Sequence, residues 1–144
     1  MGKRIRVEVD GAGADFDLLE EWAPTTTAAL WDSLPVETTT IHGRVSGDTC
    51  FIPLREGPVT QLPEKAELGV TSIYKGYIVL AAFPKRGFAE LFISYGQSEY
   101  RGDTGRLYAT PVAEVTGDPT GLFDALKRTR AEGRKPVTVR RLDG

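Results

Sequence analysis

Two short segments of the sequence place side chains of complementary chemistry at alternate positions. Residues 38–46 (TTTIHGRVS) are typical of a β-strand, in which side chains two apart share a face, so His42 and Arg44 point the same way. In a second alternating segment, FAELFISY, Glu90 and Phe92 share the face opposite the aliphatic residues. If the two strands are neighbours, they present an imidazole, a guanidinium, a carboxylate and an aromatic ring on one wall.

This set of groups suits the binding of a small polar molecule. The planar guanidinium of Arg44 can hold a carboxylate or polarise a carbonyl, and Phe92 can form an apolar floor. His42 is the single histidine, the residue type whose ordinary pKa of about 6.5 lies nearest to neutrality. Two plainer interpretations remain open. Arg44 and Glu90 form a surface ion pair worth about 0–1 kcal/mol, and His42 is structural or solvated.

A glycine-rich segment, residues 96–105 (GQSEYRGDTG), follows the second strand. Its length and glycines suit a lid over a ligand groove, and an ordinary hairpin connection is the alternative. Tyr95 and Arg106 flank this segment and can complete a pocket for a carboxylate or an amide. The segment lacks the Lys-Ser/Thr pair of a phosphate-binding loop. No catalytic residue is assigned, and the candidate ligand-binding residues are His42, Arg44, Glu90, Phe92, Tyr95 and Arg106.

The elements that must position these side chains are mostly strands. One helix is predicted at residues 25–34, after Pro24 at its first position. A second helix begins with Asp118 as its N-cap and ends before Gly133. Residues 55–67, which contain two prolines, are expected to be irregular. Apolar runs predict strands at residues 5–9, 14–19, 38–46, 49–54, 76–83, 88–95, 106–115 and 136–139.

The composition is ordinary for a globular protein and argues against several classes of function. A chain of 144 residues is expected to form one domain, residues 1–144. A net charge of −2 gives no electrostatic reason to expect a nucleic-acid or membrane partner. No run approaches the roughly 18 apolar residues of a membrane span. The N-terminal segment also lacks the apolar core of a signal peptide.

The lone cysteine, Cys50, cannot form an internal disulfide, which favours a reducing, cytoplasmic location. We expect Cys50 to be a packed core residue, because cysteine is among the most buried residue types. One histidine and one cysteine supply too few ligands for a metal site. Neither a metal nor a cofactor is therefore expected.

The order of the predicted segments resembles the cyclophilin fold over nearly the whole chain. Residues 23–27 (APTTT) resemble the lysine-x-proline-lysine-threonine entry to the first cyclophilin helix, and residues 40–45 (TIHGRV) resemble the strand that carries the catalytic arginine. Residues 89–93 (AELFI) resemble the serine-glutamine-phenylalanine-phenylalanine-isoleucine strand, and residues 115–122 (VTGDPTGL) the approach to the last helix. The resemblance implies a mainly β fold: a closed antiparallel eight-stranded barrel with two capping helices and a ligand groove on its outer face.

Other cyclophilin motifs are missing. The sequence lacks the phenylalanine-methionine-x-glutamine-glycine-glycine stretch and the tryptophan-leucine-aspartate-glycine-x-histidine segment, and Glu90 replaces a glutamine. These departures indicate a rebuilt proline pocket. The chain is more similar to small bacterial and archaeal cyclophilin-like proteins of uncharacterised function. A more distant similarity is to cyclophilin-like domains in subunits of 5-oxoprolinase and allophanate hydrolase.

Three functions follow as hypotheses from these residues and this resemblance. The first is binding or processing of a small carboxylate or amide in the outer-face groove, with a small-molecule ligand as the partner. The second is a non-catalytic interaction subunit of an amidohydrolase-type assembly, with a partner subunit or a second copy of the chain. The third is weak peptidyl-prolyl cis-trans isomerase activity, which depends on Arg44 and Phe92. Whether the protein is an enzyme stays open.

Overall fold

The computed structural model describes residues 2–102 and 105–142. This part of the chain contains two α-helices, α1 (Pro24–Asp32) and α2 (Thr120–Glu132). All strand pairs in it are antiparallel. The strands are β1 (Arg4–Val9), β2 (Ala12–Leu18), β3 (Val36–His42), β4 (Gly47–Leu54), β5 (Ser72–Ile73), β6 (Tyr77–Phe83), β7 (Phe88–Glu99), β8 (Arg101–Gly102), β9 (Gly105–Arg106), β10 (Thr110–Thr116) and β11 (Lys135–Arg141).

Eight of these strands form a closed barrel. Their order around it is β4-β3-β11-β1-β2-β10-β6-β7, and the pairing of β7 with β4 closes the ring. The predicted fold class, a closed antiparallel eight-stranded barrel with two helices, is therefore confirmed. Strand β1 shows how the sequence fills the barrel, because Ile5, Val7 and Val9 are fully buried whereas Arg6 and Glu8 between them are partly exposed.

The two helices pack differently, since α1 buries Leu30 together with Thr26 and Thr27, whereas α2 buries mainly apolar residues. Helix α2 buries Leu122 and Leu126 and contacts β1, β2, β3 and β4. It begins one residue later than the predicted cap would require, with Pro119 at the N-cap position. The carboxylate of Asp118 still accepts hydrogen bonds from the backbone N–H and the hydroxyl of Thr120, at 3.0 and 2.6 Å.

A second group of buried apolar residues lies on the outside of the barrel wall. The chain folds back over β6 and β7 through β5 and through the segment that contains β8 and β9. Side chains that point outward from the barrel are thereby removed from water. We call this group the outer cluster, and its members are Ile73, Val79, Ala81, Phe92, Tyr100 and Ala109.

The ends of two predicted strands differ from the structure. Strand β3 ends at His42, and the chain turns through residues 43–46 before β4 begins. Strand β7 continues to Glu99. The described part of the glycine-rich segment therefore extends a strand and enters the short hairpin of β8 and β9, as the alternative of a hairpin connection predicted. No helix in the described ranges has both the length and the apolar character to cross a membrane.

Candidate functional site

His42 and Tyr95 lie together on the inward side of the barrel, near the end covered by α2. His42 is paired with Cys50 across β3 and β4, and Cys50 with Ile93 across β4 and β7. Cys50 and Ile93 are both fully buried in the barrel core. Because residues two apart in a strand share a face, Tyr95 points inward like Ile93. His42 Nε2 lies 2.8 Å from the Tyr95 hydroxyl.

This placement shows that the predicted common wall of His42 with Glu90 and Phe92 is wrong. Strands β3 and β7 are separated by β4, and Glu90 and Phe92 point outward from β7. His42 is only 5% exposed. The prediction assumed that the apolar neighbour Ile41 faces the core. Ile41 instead faces outward opposite Phe51, beside the outer cluster, so His42 faces the barrel interior.

The surroundings of His42 and Tyr95 keep both groups neutral near pH 7. Burial lowers the pKa of His42 below its usual value, and the charges of Arg130 and Arg44 act in the same direction against the opposing effect of Asp48. Burial also raises the pKa of Tyr95, with Asp48 adding to the effect. Nδ1 of His42 is buried and has no hydrogen-bond partner among the described residues.

Cys50 is a packed core residue, as predicted. It is fully buried, and its Sγ lies 3.3 Å from the carbonyl oxygen of Leu126 and 3.2 Å from the hydroxyl of Thr129. Burial raises the pKa of the Cys50 thiol to about 11, with the Thr129 hydrogen bond opposing the shift. A protonated, buried thiol is a poor nucleophile, so Cys50 has a structural role.

Glu90 and Phe92 lie on the outer face, where Phe92 belongs to the outer cluster. The ring of Tyr100 packs on Phe92 with its centroid 4.5 Å away, and Phe51 approaches from β4 at 5.8 Å. Phe92 is therefore covered and is not the floor of an open slot. Burial raises the pKa of Glu90, while the charges of Arg86 and Arg55 oppose the shift.

The remaining two candidates fall outside this arrangement. Arg44 is exposed in the turn after β3. No ion pair joins Arg44 to Glu90 in the part of the chain that the structure describes, so the plainer interpretation of an Arg44–Glu90 pair is not seen. The side chain of Arg106 lies outside the described residues.

Two adjoining cavities form a groove on the outer face of the barrel. Their volumes are about 380 and 450 Å³. One lies against α1 through Thr25 and Thr26, and the other reaches the outer cluster through Tyr100. We call the pair the outer groove. Both cavities are lined by Glu64, Lys65, Ala66, Ala81, Ala82 and Tyr108.

The floor of the outer groove is an open edge of β6. Strand β10 pairs with β6 only as far as Leu80, whereas the pairing with β7 continues to Phe83. Successive residues of an antiparallel strand direct their backbone N–H and C=O groups alternately to either side. At least one of residues 81–83 therefore presents its backbone polar groups away from β7, toward the groove. Ala81 and Ala82 have small side chains that leave this edge accessible.

Charged side chains stand at the mouth of the outer groove. Lys65 and Glu64 are exposed, and neither makes an ion pair or hydrogen bond with another described residue. Glu67 is already engaged, because its carboxylate accepts hydrogen bonds from the backbone N–H of Thr25 (3.1 Å) and from the N–H and hydroxyl of Thr26 (2.8 and 2.9 Å). A carboxylate is thus already bound at the start of α1, and Lys65 is the cation left for a ligand.

Sequence reasoning missed the groove residues Lys65, Tyr108 and Ala81. Lys65 and Tyr108 lie in irregular segments, where no periodicity indicates which side chains converge. One signal was present, because Ala81 and Ala82 are small residues inside the most apolar run of the chain. Among the described residues, no group of three or more histidine, cysteine or acidic side chains is arranged to hold a metal ion.

Comparison with solved structures shows the same fold elsewhere. McbB, solved in complex with tryptophan, matches with a TM-score of 0.71 and 24% sequence identity over 97% of this chain, which spans 45% of McbB. The hypothetical protein AF2241 from Archaeoglobus fulgidus matches with a TM-score of 0.64 and 19% identity, over 98% of this chain and 95% of its own. At these identities the similarity establishes the fold alone.

Sequence comparison identifies a family but no characterised relative. No curated protein matches the chain. The sequence model of a family of proteins of unknown function, DUF3830, matches residues 5–140, which is nearly the whole chain. The chain therefore belongs to the DUF3830 family.

Proposed function

We propose that this protein is a cyclophilin-like barrel whose outer groove binds a small molecule with an apolar body and a carboxylate or amide head. The observation that carries the proposal is the pair of joined cavities over the open edge of β6. Ligand sites are typically clefts of about 300–1,000 Å³ with apolar walls and a few polar groups that fix the ligand's orientation. The outer groove has this size and composition.

The apolar part of the ligand would lie between Ala81 and the aromatic residues. Tyr100 is almost fully buried at one side, while Tyr108 is 70% exposed. An aromatic ring held at the surface beside a cavity offers a flat face for stacking. A planar ligand body is therefore favoured over a branched one.

The polar head would be bound by the β6 edge and by Lys65. Unpaired backbone N–H groups at a strand edge donate to carboxylates and amides alike. Lys65 adds a positive charge that favours a carboxylate. The structural neighbour McbB binds tryptophan. An aromatic amino acid, which combines a planar body with a carboxylate, is for this reason the first ligand to test.

The test is a thermal-shift screen followed by calorimetric titration. The panel contains tryptophan, tryptophan amide, small aliphatic carboxylates, cyclic imides and a proline-containing tetrapeptide. Ala81→Leu fills the shared floor of the groove and should weaken any ligand of the panel by at least about tenfold, which corresponds to 1.4 kcal/mol. Ala131→Leu, the same change at an exposed site on α2, should leave the affinity unchanged.

A second pair of variants tests the charge. Lys65→Ala should weaken carboxylates about fivefold and the matched amide less, since a single exposed charge contributes under about 1 kcal/mol. Lys85→Ala, at an exposed lysine in the turn after β6, is the control. The proposal is wrong if no compound of the panel stabilises the protein. It is also wrong if a bound ligand is unaffected by Ala81→Leu.

The same panel addresses the other two functions. Isomerase activity would show as accelerated isomerisation of the tetrapeptide and would be lost in Arg44→Ala. If the protein is an interaction subunit, no compound of the panel should raise its melting temperature, and the protein should co-purify with a partner subunit from its native host. The covered position of Phe92 gives the isomerase no open proline slot, which is why small-molecule binding is preferred.

A further inference from the structure

A third cavity lies at the end of the barrel beside α2, and it shares no lining residue with the outer groove. Its volume is about 480 Å³. Helix α2 contributes Lys127 and Arg130 on one side, the residue Lys75 before β6 lies on another, and Tyr95 of β7 forms part of the wall. We call it the barrel-end cavity.

The barrel-end cavity carries a net positive charge. Three cations (Lys75, Lys127 and Arg130) face two carboxylates, Asp48 and Asp124. None of the three cations makes an ion pair within the described ranges. The Asp48 carboxylate is partly satisfied, since it accepts a hydrogen bond of 3.3 Å from the backbone N–H of Gln97.

His42 orients the hydroxyl of Tyr95 through a hydrogen bond on the inward side of the barrel. The buried Nδ1 of His42 has no described partner, while Nε2 bonds the Tyr95 hydroxyl. A neutral imidazole carries one proton, and a buried N–H without an acceptor is rarer and costlier than an unused lone pair. The proton therefore belongs on Nε2, which donates to the Tyr95 oxygen.

The position of the His42 proton determines which acceptor the Tyr95 hydroxyl can use. With its oxygen accepting from His42, the hydroxyl must donate its own proton to a different acceptor. Tyr95 and Arg130 line the cavity together, and the charge of Arg130 acts to lower the pKa of the Tyr95 hydroxyl against the effect of burial. Burial keeps the pKa of Tyr95 raised, so the phenol stays protonated and remains a donor. A hydroxyl donor beside a guanidinium is a site for anionic oxygen.

We propose that the barrel-end cavity binds an anionic oxygen group, a carboxylate or a phosphate, which accepts hydrogen bonds from Tyr95 and Arg130. Lys75 and Lys127 add charge at the rim. His42 is a positioning residue, because it holds the Tyr95 hydroxyl without reaching the ligand. This site is independent of the outer groove and of the function proposed for it.

The test titrates the intact protein with inorganic phosphate and with succinate at constant ionic strength, with sodium chloride as the reference. Backbone amide shifts in NMR spectra measure the affinity. We expect saturable shifts confined to α2 and the adjoining ends of β4 and β7. Phosphate and succinate distinguish the two sources of anionic oxygen. Shifts that are linear in concentration, or equal to those in chloride, would overturn the proposal.

Variants locate the site. Arg130→Gln should weaken binding at least fivefold, while Arg128→Gln, an exposed arginine two residues away that does not line the cavity, should change it less than twofold. Equal effects of the Arg130→Gln and Arg128→Gln variants would show general electrostatic attraction to the surface and would contradict the proposal. Arg130 is exposed, so its replacement keeps the fold and the result interpretable.

The role of His42 has its own readout. His42→Leu removes the group that bonds Tyr95 and should weaken binding about as much as Tyr95→Phe does. His42→Gln retains an N–H donor and should restore most of the affinity. If His42→Gln binds no better than His42→Leu at equal folded fraction, His42 has no positioning role. Ala81→Leu, which blocks the outer groove, should leave the anion affinity unchanged.

Discussion

At the scale of single residues, His42 is the most informative side chain. It is the single histidine of the chain, so no other imidazole obscures its titration. It is faced by Arg130 from α2, Asp48 from β4, Arg44 from the turn and Tyr95 from β7. Protonation would add a charge to the ring and an N–H without an acceptor at the buried Nδ1, so the buried position of His42 favours the neutral form.

The first prediction concerns stability as a function of pH. The pKa of His42 in the folded protein is lowered from its usual value of 6.5. As the pH falls below 6.5, the unfolded chain binds a proton before the folded protein does, so the free energy of unfolding decreases. Urea denaturation between pH 8 and pH 5 should show this decrease. His42→Gln lacks this group, so its stability should decrease less toward pH 5 than that of the wild type; an unchanged slope in this variant would contradict the prediction.

Glu90 gives a prediction of opposite sign. Burial raises the pKa of this carboxyl in the folded state, against the opposing charges of Arg86 and Arg55. Stability contributed by the neutral acid is present at low pH and is lost as the pH rises through the folded pKa. Glu90→Gln should therefore be more stable than the wild type at pH 8 and about equal to it at pH 4.

The control for Glu90 is an exposed glutamate. Glu56→Gln, in the irregular segment after β4, should follow the wild type at both pH values in the same urea series. If Glu90→Gln is less stable than the wild type at pH 8, the charges of the two arginines outweigh burial.

At the scale of elements, helix α1 depends on a residue outside itself. Its N-cap residue is Ala23, which provides no side-chain hydrogen bond, and threonine-rich helices are intrinsically weak. Glu67 supplies the missing acceptor from a distant part of the chain. Burial tends to raise the pKa of Glu67, but the hydrogen bonds from Thr26 and Thr25 outweigh it and lower the pKa.

We therefore predict that Glu67→Ala lowers the free energy of unfolding by about 1 kcal/mol, the usual cost of losing a helix cap. Urea denaturation at pH 7 measures the change. Because the pKa of Glu67 is lowered in the folded state, this stabilisation is present at neutral pH and is lost as the pH falls through the folded pKa. Wild type and variant should converge in acid.

Glu64→Ala is the matched control, three residues earlier and exposed. It makes no ion pair or hydrogen bond with another described residue, so its replacement should change stability by less than about 0.5 kcal/mol. Equal losses in the two variants would show that Glu67 does not cap α1.

The elements also show how far the sequence could predict the fold and the site. Alternation identified β1 because one of its faces is fully apolar. Alternation assigned the wrong face to His42 because both faces of the strands near this end of the barrel are buried. Helix α2 covers the inner face, and the outer cluster covers the outer face. With both faces buried, a polar residue no longer marks the solvent side. The outer groove was beyond sequence reasoning, since it joins an irregular segment to a strand edge.

At the scale of the whole molecule, stability comes from closing the barrel. Strands β4 and β7 form the seam, with Ile52 and Leu91 facing each other across it. Both side chains are fully buried. We predict that Leu91→Ala lowers the free energy of unfolding by about 2–5 kcal/mol, through lost burial and the cavity left behind.

The matched substitution is Leu68→Ala, at a leucine that is 41% exposed. It should cost less than about 0.5 kcal/mol in the same urea experiment, as is usual for surface changes. A similar cost at both positions would mean that the seam does not dominate the stability of the barrel.

The bond between Glu67 and α1 also has a consequence for motion. Glu67 belongs to the segment that walls the outer groove, and its backbone N–H donates to the hydroxyl of Thr110 on β10 at 3.1 Å. Any fluctuation that widens the groove at this point must release the first turn of α1 at the same time. In hydrogen exchange, the amides of Thr25, Thr26 and Glu67 should therefore open as one cooperative unit. Transient opening of the first turn of α1 would then limit the size of the molecules that can enter the outer groove.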